Sequence, residues 1–145
     1  MIHVPFVNLP AVLAGSSFIQ FVAAAIYGPL FGQAWLNAMK TDRGDDHWTT
    51  KDPKNNDYVQ LFFTDFAINI GRAWITGLLL NLTQAQTVSH AAQLGLFLFL
   101  GTYLPVVTSE LMWEKRSFAL QKYKIMIGFS STVVLSCLMH AIGTA

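Results

Sequence analysis

The sequence predicts an all-α integral membrane protein. It has four transmembrane helices and a short interfacial helix after the first. Three observations carry that prediction. Of the 145 residues, 53% are hydrophobic and only 12% charged, against about 25% charged in an ordinary soluble domain, and the mean hydropathy is +0.43. The charges are also segregated. Of the nine basic residues, Lys40, Arg43, Lys51 and Lys54 share one polar segment, Lys115, Arg116, Lys122 and Lys124 another, and only Arg72 lies in a hydrophobic run. Finally, four apolar runs, at residues 9–27, 58–82, 88–109 and 125–142, approach the ~20 residues that cross a ~30 Å hydrocarbon core. Residues 1–145 therefore form one transmembrane domain. A net charge of +1 gives no argument for a nucleic-acid partner, and the single Cys137 excludes an intrachain disulfide.

The first run has no preceding basic region and no clear cleavage site, so it reads as a retained helix. Pro10 suits its first turn. Ala11, Gly15, Ser16 and Ser17 keep one side thin, which allows close approach of another helix. Pro29 lacks the N–H that would continue the ladder, so this helix ends or kinks there. A short helix over 29–39, carrying Leu30, Phe31, Trp35 and Leu36, suits the membrane interface.

The junction reads Tyr27-Gly28-Pro29-Leu30-Phe31-Gly32-Gln33-Ala34-Trp35. This aromatic-Gly-Pro-x-x-Phe-Gly-x-x-Trp pattern, on Tyr27, Gly28, Pro29, Phe31, Gly32 and Trp35, resembles the domain-of-unknown-function 1761 family. Those are small integral membrane proteins with four predicted helices, and the spacing of the later helices is similar too. The resemblance implies an architecture and no activity.

Residues 40–57 form a charged loop. Its Asp42, Asp45, Asp46 and His47 lack the sixth-position Gly and distal Glu of a calcium-binding loop, so the segment reads as solvated. The second span is the element around which the chain is organised. At about 100° per residue, Tyr58, Asp65, Asn69, Arg72 and Thr76 share one stripe. The opposite side carries Phe63, Ala67, Ile70, Trp74 and Leu78. Asn81-Leu82-Thr83 matches a glycosylation sequon close to the membrane surface. The uncharged turn at 83–89 makes the second and third spans antiparallel neighbours. The third has Gly95 and Gly101 as thin points, and Pro105 kinks it near its end, with Thr102 available for the freed carbonyl. A basic, aromatic link over 110–124 follows. In the last span Gly128, Thr132, Ser136 and His140 recur every fourth residue, a packing face.

Four spans put the 40–57 loop and the 110–124 link on one side. Together they hold eight of the nine basic residues. The positive-inside rule then places both termini outside and both charged segments on the cytoplasmic or matrix side of a plasma or energy-transducing membrane.

Three constellations carry candidate chemistry. Ionisable groups at membrane depth must face something other than lipid. Asp65, Asn69, Arg72 and Thr76 therefore read either as a proton or small-solute path or as an ion pair fixing helix register, with Asn69 bridging the ~10 Å rise from Asp65 to Arg72. Glu110 is the alternative counter-ion. His3, His90 and His140 all fall at the outer ends of helices and could converge on a metal, haem or chlorin, but no two have i, i+4 spacing, so no cofactor and no metal is expected. Trp113, Lys115, Arg116, Lys122 and Lys124 suit contact with anionic lipid or serve only to set topology. The linear motifs of Ser, Cys and zinc hydrolases do not occur. The expected function is a non-catalytic membrane subunit assembling with itself or with a larger complex. The alternative is a proton-linked carrier or channel using the polar stripe.

Overall fold

A computed structural model describes residues 4–44 and 57–144, apart from the side chains of Asp57 and Tyr58. Most of the expected charged loop, His3 and His47 lie outside the described residues. Every described element is helical: α1 (Leu9–Ala25), α2 (Gly32–Arg43), α3 (Asp57–Leu82), α4 (Val88–Leu98), α5 (Leu104–Met112), α6 (Phe118–Phe129) and α7 (Leu135–Ile142). Two wider-wound π-helical segments lie within the columns, at Phe99–Tyr103 and Ser130–Val134, and a kink at Gly28 falls within Ile26–Leu30. With these segments the columns run Leu9–Leu30, Val88–Met112 and Phe118–Ile142, each long and apolar enough to cross a bilayer. The fourth long helix, α3, has 26 residues but is not among those three, since Asp65, Asn69 and Arg72 lower its hydropathy.

Two helices begin or end elsewhere than the sequence predicts. The last column starts at Phe118, seven residues before 125. Lys122 and Lys124 are good helix formers, and Leu120 and Tyr123 are buried, so the basic stretch is the amphipathic first part of the span. Only residues 113–117 remain as a link. At the same end, α2 continues to Arg43, where Gly44 takes the left-handed φ of 65° and donates its N–H to the Lys40 carbonyl at 2.9 Å, a glycine stop for a helix.

Small residues decide how the columns meet. A β-carbon on Gly15 would touch Leu135 and Met139, and one on Gly77 would lie 2.6 Å from Val7 and 3.1 Å from Met139. One on Gly95 would lie 2.6 Å from the Val133 Cα and 2.7 Å from the Thr132 carbonyl oxygen. Three helices thus offer their thin points to the last column, as membrane packing by van der Waals contact favours. Accordingly α7 packs against α1, α3 and α4, and α1 packs along α3. The expected pairing of the second and third spans does not form. Although residues 83–87 join them closely, α3 and α4 are not packed together, because the last column takes the place between them. Gly128 also meets something other than a neighbouring backbone: its β-carbon would lie 2.3 Å from the Tyr103 ring. Gly101 has nothing within 4 Å.

Asn81 closes the end of the bundle that holds the termini. Its amide donates to the carbonyls of Phe6 (2.8 Å) and Thr144 (2.9 Å) and its oxygen accepts from the Thr144 hydroxyl at 2.6 Å. Asn8 adds a backbone bond to the Thr144 carbonyl at 3.0 Å. The sequon asparagine is therefore a clamp between the two chain ends.

Candidate functional site

The polar stripe of α3 divides into two parts. Asn69 is 1% exposed and donates to Gln20 of α1 at 2.8 Å and to Asp65 at 3.3 Å. An amide buried at this depth needs such partners, and Gln20 supplies the one that crosses between helices. Asp65 itself is exposed. Thr76 turns its hydroxyl back to the Arg72 carbonyl at 2.9 Å. Arg72 does not join Asp65. Among the described residues its guanidinium makes no hydrogen bond or ion pair, so Asn69 bridges Asp65 to α1 rather than to Arg72.

Arg72 instead lines a groove of about 560 Å³, within the ≈ 300–1,000 Å³ of ligand pockets. One wall is Arg72, Ile75 and Thr76 of α3. The other is Leu98, Thr102, Tyr103, Val106, Val107 and Glu110 of the facing column. Ser131, Thr132, Lys124 and Tyr27 complete it. Its existence follows from the packing, because α3 and α4 stand apart. Arg72, Leu98 and Thr132 each lie ten residues from the terminus-side end of their column, and therefore near one depth, about 15 Å in. From Leu98 the groove runs about 18 Å along the helix axis to Glu110.

Both π segments and the kink contribute to this groove: Thr102 and Tyr103 from the first π segment, Ser131 and Thr132 from the second, and Tyr27 from beside the Gly28 kink. Single-turn π segments are frequent at functional sites, because the wider turn re-aims side chains and loosens the backbone ladder. Here the loosened carbonyls are partly satisfied by side chains. Thr102 donates to the Leu98 carbonyl at 2.5 Å, and Thr132 and Ser131 to the Gly128 carbonyl at 2.9 and 3.2 Å. Pro105, which lacks an N–H, stands two residues beyond Tyr103, at the start of α5.

At the charged end, Glu110 accepts bonds from Lys124 and from Gln121, the latter at 2.7 Å, joining α5 to α6. Gln121 is fully buried, and its Oε1 has no partner among the described residues. Arg116 bonds Asp42 at 2.9 Å and Glu114 at 2.8 Å, tying α2 to the link. The bonded Glu114 carboxylate, with Asp42 adding to it, raises the Arg116 pKa above its ordinary value. Of the five residues expected at anionic lipid, Arg116 and Lys124 are thus engaged within the chain. Lys122 lies 4.9 Å from the Tyr123 ring centroid, and Trp113 and Lys115 are exposed.

The Tyr27–Trp35 motif forms the corner beside the groove. Gly28 leaves helical geometry (φ −105°, ψ −107°), and the Phe31 N–H closes the bend onto the Ile26 carbonyl at 3.1 Å. Trp35 packs on Tyr27 with ring centroids 4.9 Å apart, and Phe31 on Tyr123 at 5.7 Å. In the last column, Thr132 and Ser136 are buried, and the Ser136 hydroxyl has no partner among the described residues. The histidines lie apart from the groove. His90 is exposed at the start of α4, and His140 lines a cleft with Phe6, Asn81 and Thr144. Among the described residues no three His, Cys, Asp or Glu side chains are grouped to hold a metal.

Sequence reasoning missed Gln20, Tyr103, Gln121 and Ser131. For Gln20 the signal was available: it is a lone amide in an apolar run, which at membrane depth calls for a partner.

Residues 10–143 match the family described as protein of unknown function, DUF1761, and the chain belongs to that family. It is 26% identical over 141 residues to a UPF0591 membrane protein of Schizosaccharomyces pombe (strain 972 / ATCC 24843), an alignment covering 97% of this chain and 94% of that protein. No solved structure matches the chain.

Proposed function

We propose that this DUF1761 member is a four-span membrane protein that holds a small solute in the groove around Arg72 and performs no covalent chemistry on it. The observation that carries the reading is Arg72, a guanidinium near mid-depth beside a cavity with no internal counter-ion among the described residues. A charge there costs about 2.5–3.5 kcal/mol on an insertion scale, so an incoming group that supplies the opposite charge is strongly favoured. The 26 residues of α3 rise about 39 Å, enough for it to serve as the fourth span. The basic residues of α2 and of 113–124 support a topology with both termini outside and this end inside. Glu110, the one carboxylate lining the groove, is occupied by Lys124 and Gln121, which argues against a free general base. Such a site serves a carrier, a channel or a static binding module.

Asp65 favours a second reading. It is exposed at membrane depth, and Phe62, Phe63 and Ile68 around it are exposed as well. A carboxylate facing outward needs shielding by protein. This supports assembly with a second copy or as a subunit of a larger complex.

One experiment tests the solute reading. Thermal stability of Asp65→Leu, Arg72→Leu and the double variant is measured in mild detergent, with acetate, phosphate and palmitate as stabilising probes. The solute reading expects additive effects, since the two side chains are not bonded, and a probe-induced rise in Tm that Arg72→Leu abolishes. Strong mutual rescue in the double variant, with no probe shifting the parent, would overturn it in favour of a structural pair.

A further inference from the structure

Resting on the reading of the groove as a solute site, we infer that its ligand is a carboxylate with a single apolar chain, entering sideways from the bilayer with its head on Arg72. The first support is shape. Arg72, Ile75, Thr102 and Val106 are exposed along the gap between α3 and the α4–α5 column, while Thr76, Val107, Ser131 and Thr132 are buried behind them. A groove that is open on its membrane-facing side and closed at its floor admits a ligand from the lipid.

The second support is the chemistry of the wall. Thr76, Thr102, Ser131 and Thr132 all donate their hydroxyl hydrogens to carbonyls of their own helices. These four offer lone pairs, and the threonines methyls, but no donors; besides Arg72 the donors of the lining are the Tyr27 and Tyr103 phenols and Lys124, the last bonded to Glu110. Ile75, Leu98, Val106 and Val107 are apolar. Along these apolar and internally bonded side chains a polyhydroxylated or multiply charged solute has nothing to donate to it, whereas an alkyl chain loses nothing by lying there.

The third support is charge. Lys124 is neutralised by Glu110, which also accepts from Gln121, so the groove carries one unmatched positive charge, on Arg72. A monoanion balances it. The planar fork of the guanidinium matches the two oxygens of a carboxylate. Lateral access, an apolar wall and one forked cation together describe the head and chain of a fatty acid.

The test uses the full-length protein in nanodiscs of zwitterionic phosphatidylcholine, with radiolabelled palmitate as probe and hexadecanol, hexadecyl phosphate and acetate as competitors. The expected result is saturable palmitate binding, one per chain, without competition from hexadecanol or acetate. Arg72→Gln should weaken it by at least about tenfold, the loss of a charge-assisted pair, while Arg72→Lys retains part of it. Val106→Trp, which fills the groove and leaves Arg72 in place, should also abolish binding and decides the matter if Arg72→Gln does not fold. Unchanged binding in a folded Arg72→Gln or in Val106→Trp, or equal competition by hexadecanol, would overturn the inference. So would tighter binding of hexadecyl phosphate, which would assign a phosphate-headed lipid. Binding of acetate without palmitate would remove the amphiphile and leave the solute reading standing, whereas no binding of any probe would remove both.

Discussion

Gly95→Ala adds one methyl group where two columns meet backbone to backbone. Its β-carbon would stand 2.6 Å from the Val133 Cα and 2.7 Å from the Thr132 carbonyl oxygen. Ordinary carbon contacts lie near 3.5–4.0 Å, so one column must retreat by about 1 Å. Both opposing atoms are backbone, and no rotamer change relieves the overlap. Overpacking of this kind costs about 1–3 kcal/mol, offset by at most about 1 kcal/mol of helix propensity gained over glycine. Gly101→Ala, six residues further along the same column, is the internal control. Nothing lies within 4 Å of its β-carbon, so only the propensity gain applies and stability should hold or rise slightly. Thermal unfolding of both variants in mild detergent compares them directly. Equal destabilisation of the two, or a Gly95→Ala protein as stable as the parent, would refute the claim that the last column rests on α4 through this glycine.

Two further predictions concern the terminal end and the membrane orientation. Asn81→Ala removes both donors and the acceptor that hold Phe6 and Thr144, and should destabilise by about 1–3 kcal/mol, the cost of stranding such groups. Asn81→Asp, which keeps the acceptor, should fall between. Unfolding temperature and protease sensitivity of the chain ends are the readouts, and a parent-like Asn81→Ala would show that the clamp contributes nothing. For orientation, cysteines at Gln86, which is exposed, and at Ser117, in the link, are placed in a Cys137→Ser background. In intact cells Gln86→Cys should react with an impermeant maleimide and Ser117→Cys only after permeabilisation. The opposite pattern would reverse the topology. Thr144 is unsuited to such labelling, because it is only 7% exposed beneath Asn81.

The membrane-spanning character, the break at Pro29 and the three apolar columns were legible because each rests on composition or on a covalent property of one residue. Where the columns meet was not. The short turn at 83–87 suggests that the spans beside it are packed neighbours, but partner choice follows from thin points on several helices acting at once. Gly15, Gly77 and Gly95 all yield to the last column, and no local pattern ranks such contacts. The two π segments, at Phe99–Tyr103 and Ser130–Val134, were hidden for a related reason. They shift the register of a continuous apolar run without interrupting it, so the periodicity before and after still reads as one helix. The stripe at Asp65, Asn69, Arg72 and Thr76 was placed on one face from spacing alone. Its division was not foreseen, because it depends on Gln20, which lies 49 residues from Asn69.

The resemblance that pointed to the family and the groove at Arg72 are two views of one corner. Pro29 ends the first span, and Gly28 makes the bend beside it. Gly32 is required by the close approach, since a β-carbon there would stand 2.9 Å from the Tyr27 carbonyl oxygen. Trp35 and Phe31 then pack on Tyr27 and Tyr123, and buried Ile26 and Ile127 fill the space between. The product of these contacts is the fixed position of Tyr27, whose side chain lines the groove with Arg72 and Lys124. On the opposite wall, Tyr103 is held against Gly128, where any side chain would displace its ring. Two tyrosines are thus set by glycine contacts on different columns, one by the motif and one by the packing face of the last span. A purely structural corner would need the bend and the aromatic cluster. It would not need both rings lining the same cavity beside an uncompensated guanidinium, and that convergence supports the proposed solute site in this chain.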